Sequence, residues 1–214
     1  MVSTPVLEQR ELEAMLAVID RKCPSGCRNY AMLKLMAQTG MRCGETLQVE
    51  SSDIDVETWG NNGDRVEVCV LRLRKNTTKG KKERQGLPLT ADTMKAVRRW
   101  QAVREKLGIT SGPLFCTIST RQKTGFADEG ITLPGQALND RYVRELVRRL
   151  AAKAGVTKRV HPHMLRHTAL TNLYDKTRDL RLVQVVAGHS SSKTTERYTH
   201  VHPMAVAEAM GVLG

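Results

Sequence analysis

His161-Pro162-His163-Met164-Leu165-Arg166-His167-Thr168 places three imidazoles and one guanidinium within eight residues. Pro162 suits the first turn of a helix, where its missing N–H costs nothing, and that helix is expected to run to about Asp175. On it His163 and Arg166 stand three residues apart and share a face. A second helix, from Asp179, is expected to end at Gly188-His189. Tyr198 follows nine residues after that histidine, in Thr194-Thr195-Glu196-Arg197-Tyr198-Thr199-His200-Val201, read as a short helix. Singly, each of these residues has an ordinary explanation: a solvated arginine, a hydrogen-bonded structural histidine, a packing tyrosine. In combination they put cations, imidazoles and a phenol where a phosphate could meet them.

Upstream, Leu12, Met15, Leu16 and Ile19 mark one face of an amphipathic helix over 8–21, which Pro24-Ser25-Gly26 is expected to break. A more apolar helix over 28–38, with Tyr30, Leu33, Leu35 and Met36, stops at Gly40, and Arg42 follows that stop. A short helix then carries Glu45 and Leu47. The segment 53–75 reads as strands around Asn61-Asn62-Gly63, with Val66, Val68 and Val70 alternating; the phase shift at Leu71 and Leu73 predicts a bulge or twist. Residues 75–84 form a basic turn leading to an extended 85–89, whose Pro88 suits an edge strand. Thr90 caps a helix carrying Ala96, Trp100, Val103 and Leu107 up to Gly108. Residues 117–134 are expected to be a loop. A helix over 139–154 buries Tyr142, Leu146 and Leu150, displays Arg141, Arg144, Arg148 and Arg149, and stops at Gly155. With no linker in sight, residues 1–214 read as one domain, mainly α with a small antiparallel β-sheet (α+β).

The chain has 214 residues, a net charge of +12 and a pI of about 9.8. Its first 60 residues carry six basic and nine acidic side chains, and the remainder 28 and 13, so the basic face lies after residue 60. That balance favours a polyanionic partner. An aromatic content of 4% argues against base stacking and makes duplex DNA the better fit than a single strand. No apolar run approaches the roughly 20 residues of a membrane span, and the N-terminus has no secretory pattern, so the expected location is the cytoplasm. Five scattered cysteines imply reduced thiols. Cys23 and Cys27 lack a second pair at zinc-site spacing, and no glycine-rich Walker loop is present, so neither metal nor nucleotide cofactor is expected.

The His-x-x-Arg-His motif, the Gly-His after it and the tyrosine nine residues beyond resemble the tyrosine recombinase (phage integrase) family. The resemblance extends to Thr39-Gly40-Met41-Arg42-Cys43-Gly44-Glu45 and to the hairpin Thr78-Lys79-Gly80-Lys81-Lys82-Glu83-Arg84 closing on Leu87-Pro88-Leu89, and so covers nearly the whole chain. It implies the family's catalytic-domain fold, with Arg42, Lys79, His163, Arg166, His189 and Tyr198 as the catalytic set. Cys43 and Thr46 depart from the aliphatic residues usual in the first motif. The family's N-terminal core-binding domain is not found in this sequence.

By that resemblance the protein cleaves and rejoins duplex DNA through a 3′-phosphotyrosyl link. Arg42 and Arg166 would clamp the phosphate, since a guanidinium is a planar fork matched to two oxygens. His189 would donate to a nonbridging oxygen, with no metal required and EDTA harmless. Free tyrosine has a pKa of about 10, so Tyr198 needs a base, and His163 is the candidate. Lys79 would protonate the departing 5′-hydroxyl. Glu45 and His167 would support Arg42 and His163 from behind. Lys75, Lys81, Lys82, Arg84, Arg141, Arg144 and Arg148 would contact DNA phosphates, which position the protein without reading sequence. After Tyr198, Ala205, Val206, Ala207 and Met210 could form a small apolar face; the resemblance implies a homotetramer on DNA, monomeric or weakly associated when free, with room for accessory DNA-bending proteins. Two rival readings remain at this point: a type IB topoisomerase, and a silent DNA-binding module of the same fold.

Overall fold

The computed structural model describes residues 6–59, 65–74, 86–119, 121–123, 130–188 and 203–212. Helix α1 (Gln9–Ala17) is shorter than its apolar stripe suggests. It closes at Val18, whose N–H reaches Ala14, and Ile19 enters the core from the following turn. Helix α2 (Pro24–Thr39) starts earlier than expected, because the triplet read as a breaker is its first turn. Pro24 occupies the position where its fixed φ favours helix entry. Gly26 is required there: a Cβ would lie 1.7 Å from the Asp20 carbonyl oxygen. The thiols of Cys23 and Cys27 donate to the carbonyls of Asp20 and Arg21 at 3.2 and 3.0 Å. At the far end Gly40 adopts φ 62° and caps the helix as its sequence indicated.

Helix α3 (Cys43–Leu47) and a 3-10 turn (Ser51–Asp53) lead into an antiparallel sheet of β1 (Ile54–Trp59), β2 (Val66–Leu71) and β3 (Leu87–Leu89), in that spatial order. The expected bulge is absent. The register runs unbroken from Ile54↔Leu71 to Trp59↔Val66. The shift in hydrophobic phase arises because the end of β2 is covered on both faces: Leu71 enters the core, while Val70 lies beneath Gly86, where a Cβ would approach it to 2.4 Å. Leu73 is buried past the strand's end. Pro88 does sit on an edge strand.

Helix α4 (Ala91–Lys106), capped by Thr90, packs along α2 and buries Trp100, whose indole N–H donates to the Leu114 carbonyl at 2.7 Å. The segment expected to be a loop contains a second, two-stranded antiparallel sheet, β4 (Arg121–Lys123) with β5 (Gly130–Thr132). Backbone ladders need no alternating side chains, so composition gave no sign of it. Among the described residues, helices α5 (Asp140–Lys153), α6 (Pro162–Thr177), α7 (Leu180–Ala187) and α8 (Pro203–Ala209) follow. Helix α8 lies against β3 and α6 and buries Val206 and Ala207. One core joins Met32, Leu35 and Met36 of α2 to Trp100, Phe115, Val147 and Leu165. Each such side chain removes apolar area worth about 1.5–3 kcal/mol. The architecture is mainly helical with small antiparallel sheets, and all five cysteines are free. Among the described residues no helix is long and apolar enough to cross a membrane.

Candidate active site

Three elements distant in sequence meet at the C-terminal end of α2. Arg42 enters α3 as its N-cap, a position that ordinarily takes a side-chain acceptor, which arginine lacks. The cap is supplied by Glu45. Its carboxylate accepts from the Arg42 backbone N–H at 2.9 Å and from Nη1 of the same residue at 3.0 Å. Glu45 is 3% exposed, whereas the Arg42 side chain is 33% exposed, so the carboxylate is a fixed anvil and the guanidinium keeps a face toward solvent. The expectation that Glu45 orients Arg42 therefore has a direct geometric counterpart.

Arg166, buried on α6, bridges two helix ends. Nη1 donates to the Gly40 carbonyl at 2.6 Å and Nη2 to the Ala187 carbonyl at 2.8 Å. The last carbonyls of a helix carry partial negative charge, so a cation placed between two such ends is favourably held. The arginine thereby ties α2 to the end of α7, two residues before His189. Gly188 caps α7 with φ 61°.

His161 caps α6 through Nδ1, which accepts from the Met164 N–H at 3.2 Å, so it is a structural residue and not a free base. His163 projects at the mouth of the site. Its ring meets His167 edge-on at 4.4 Å between centroids and lies parallel to His161 at 6.4 Å. Partial burial, followed by the positive fields of His167, Arg166, His161 and Arg42, pushes its pKa below the ordinary imidazole value. A neutral His163 can accept a proton at physiological pH. His167 is its edge-on neighbour on the same helix.

Arg42, His163 and Arg166 line one open cleft of about 400 Å³, with Met41, Cys43, Asp140, Arg144, His161 and Pro162 completing its wall. Arg144 is thus not merely a member of a basic helix face. It pairs with Asp140 at 2.9 Å, and Asp140 shares the cleft wall with Cys43. Burial and the nearby Asp140 carboxylate push the Cys43 thiol far above its usual pKa, so it stays protonated and is not a nucleophile. Sequence reasoning missed Asp140 and Cys43, because their meeting depends on α3 packing against α5. Arg141 and Arg148 are exposed on α5, Arg141 paired with Glu145 at 2.9 Å. Lys79, His189 and Tyr198, with Lys75, Lys81, Lys82 and Arg84, lie outside the described residues, as does the short helix expected over 194–201.

The sequence matches the phage integrase family over residues 5–204. It is 39% identical over 182 residues to tyrosine recombinase XerC of Corynebacterium glutamicum, covering 85% of this chain and 49% of that protein. Against tyrosine recombinase XerC of Bacillus subtilis the identity is 33% over 195 residues, 91% of this chain and 56% of that protein. The chain spans about half the length of these curated relatives. Among solved structures, the XerH site-specific recombinase bound to its difH substrate in a pre-cleavage complex superposes with a TM-score of 0.67 at 30% identity, over 95% of this chain and 52% of that one. XerA recombinase superposes with a TM-score of 0.64 at 25% identity, over 96% and 64% of the two chains. A match that runs from residue 5 to residue 204 of a chain with 214 residues takes in both arginine-bearing segments and every element between them, and by it the chain belongs to the phage integrase family.

Proposed function

We propose that this chain is the catalytic domain of a site-specific DNA recombinase or integrase that cleaves and rejoins duplex DNA through a 3′-phosphotyrosyl intermediate. The observation that carries the proposal is the convergence of Arg42, His163 and Arg166, from α3 and α6, on one cleft. Two guanidiniums held by fixed carboxylate and carbonyl partners are preorganised to receive the charge that grows on a pentacoordinate phosphorus. Tyr198 is the nucleophile, with His163 taking its proton. The 3′-phosphotyrosyl bond conserves the energy of the phosphodiester, so the strand reseals without cofactor. His189 donates to a phosphate oxygen and Lys79 protonates the 5′-hydroxyl that leaves; both assignments rest on the motifs.

The names of the similar proteins, tyrosine recombinases and a site-specific recombinase bound to its substrate, support recombination over simple relaxation by a type IB topoisomerase. A silent module has no chemical need for a neutral histidine beside two oriented arginines. Arg141 and Arg148 meet backbone phosphates along α5, joined by Lys75, Lys81, Lys82 and Arg84. Residues 1–214 act as a single catalytic domain, a homotetramer forms on DNA, and the site of action is the nucleoid. Trapping a covalent adduct on nicked duplex DNA in EDTA tests the proposal: an SDS-stable species is expected from the wild type and none from Tyr198→Phe. An adduct that persists in Tyr198→Phe removes the nucleophile assignment.

A further inference from the structure

We infer that Asp140 and Arg144 form a switchable anion-reading element in the wall of the cleft: Asp140 holds the Arg144 guanidinium until a DNA phosphate displaces it, and Arg144 then serves as a third phosphate contact beside Arg42 and Arg166. The inference rests on the recombinase reading above for the identity of the anion.

The pair is asymmetric in a way that makes exchange one-sided. Asp140 is the first residue of α5, where the free amides and dipole of the helix favour a carboxylate, and it sits in the cleft wall beside Cys43 of the adjoining α3. It therefore stays in place when its arginine leaves. Arg144 is 60% exposed in its side chain, one turn further along, and pairs with Asp140 at 2.9 Å. Exposed ion pairs of this kind are weak, so a phosphate can take the guanidinium at small cost. A phosphate also offers the fork a better-matched pair of oxygens.

Position decides what the switch does. Both residues line the cleft that holds Arg42, His163 and Arg166, whereas Arg141, one residue past Asp140, is not part of that wall. Arg144 is a positioning residue in this account. It seats the DNA backbone in the cleft while Arg42 and Arg166 take the reacting phosphate.

The test is a double-mutant cycle on the full chain, with affinity for a fluorescein-labelled duplex measured by anisotropy across a salt series. Arg144→Gln is expected to weaken binding by about threefold to tenfold and to lower the log–log salt slope by about one, the signature of one lost phosphate contact. Asp140→Asn is expected to tighten binding by about threefold in the wild-type background and to change nothing in the Arg144→Gln background, because its effect passes through that guanidinium. An equal gain in both backgrounds means that Asp140 acts only as a general negative charge and overturns the inference. An unchanged slope in Arg144→Gln overturns it too. Melting temperatures of the variants identify any loss that comes from misfolding, and Arg144→Lys, which keeps the charge, should restore the slope without restoring full affinity. The SDS-stable adduct scores the parent reading separately on the same samples. A non-additive cycle without adduct leaves the anion element standing and removes the recombinase reading; an adduct with an additive cycle does the reverse. Absence of any duplex binding by the wild type overturns both.

Discussion

Replacing Glu45 by glutamine is the sharpest perturbation the site offers. The carboxylate accepts two hydrogen bonds from one residue, the Arg42 N–H at 2.9 Å and Nη1 at 3.0 Å, and is itself 3% exposed. Glutamine keeps the shape but loses the charge, and it must aim an NH₂ at one of two donors. A charge-assisted hydrogen bond is worth about 1.5–3 kcal/mol, and the Arg42 side chain's one-third exposure screens its share, so a loss of about 2 kcal/mol is expected. For a domain of this size that is a fall of about 4–8 °C in Tm. The guanidinium would also swing out of line with the phosphate, and misplacement of about 1 Å can cost 10²-fold in rate. Single-turnover adduct formation on nicked DNA should therefore drop by about 10²-fold while the salt slope of binding stays at its wild-type value, because no cation is removed. Wild-type cleavage by a Glu45→Gln protein that melts several degrees lower would refute the claim that Glu45 orients Arg42.

Gly40→Ala forces an alanine into φ 62° and brings its Cβ within 3.3 Å of Leu170 Cδ2; a destabilisation of about 1–2 kcal/mol is expected by thermal melting, and a Tm equal to wild type would contradict it. Arg166→Lys replaces a fork that spans the Gly40 and Ala187 carbonyls by a single ammonium, so adduct formation should fall by at least about 10²-fold; retention of activity would show that the bridging geometry is dispensable. The lowered pKa of His163 keeps it neutral around neutral pH, so the rate of adduct formation should hold through the ordinary imidazole range near pH 6.5 and decline only below it. The same sign applies to stability. Between the lowered folded value and the ordinary unfolded one, the unfolded chain binds the extra proton, so stability falls as pH falls through that window, and His163→Gln should flatten the slope. A rate that rises on acidification would rule out the base assignment.

What could be read from the chain and what could not divide along contact range. Gly40 as a left-handed stop, Thr90 and Pro162 at helix starts, and Pro88 on an edge strand follow from local backbone chemistry, and the structure has each of them. Pro24-Ser25-Gly26 opens α2 and does not merely break α1: proline and glycine mark a helix boundary from either side, and the close passage of Gly26 under the Asp20 carbonyl is visible only in the structure. The β4–β5 ladder was missed because residues 121–132 carry no alternation for a pattern to catch. At the site, spacing put His163 and Arg166 on one helix face and the family resemblance added Arg42; the three line one cleft. Neither said anything of how Arg166 is held, since its acceptors lie 126 and 21 residues away, nor of the Cys43–Asp140–Arg144 wall that α3 and α5 build together. Lys79, His189 and Tyr198 rest on their motifs alone, as they lie outside the described residues.

The central claim is tyrosyl transfer by this cleft without metal. Incubating the chain with end-labelled nicked duplex DNA in EDTA and quenching with SDS tests it most directly. The account predicts a covalent protein–DNA adduct from the wild type that is absent from Tyr198→Phe, with DNA affinity nearly equal in the two. Measurable DNA binding by the wild type with no adduct, or an adduct of equal yield from the variant, would contradict it.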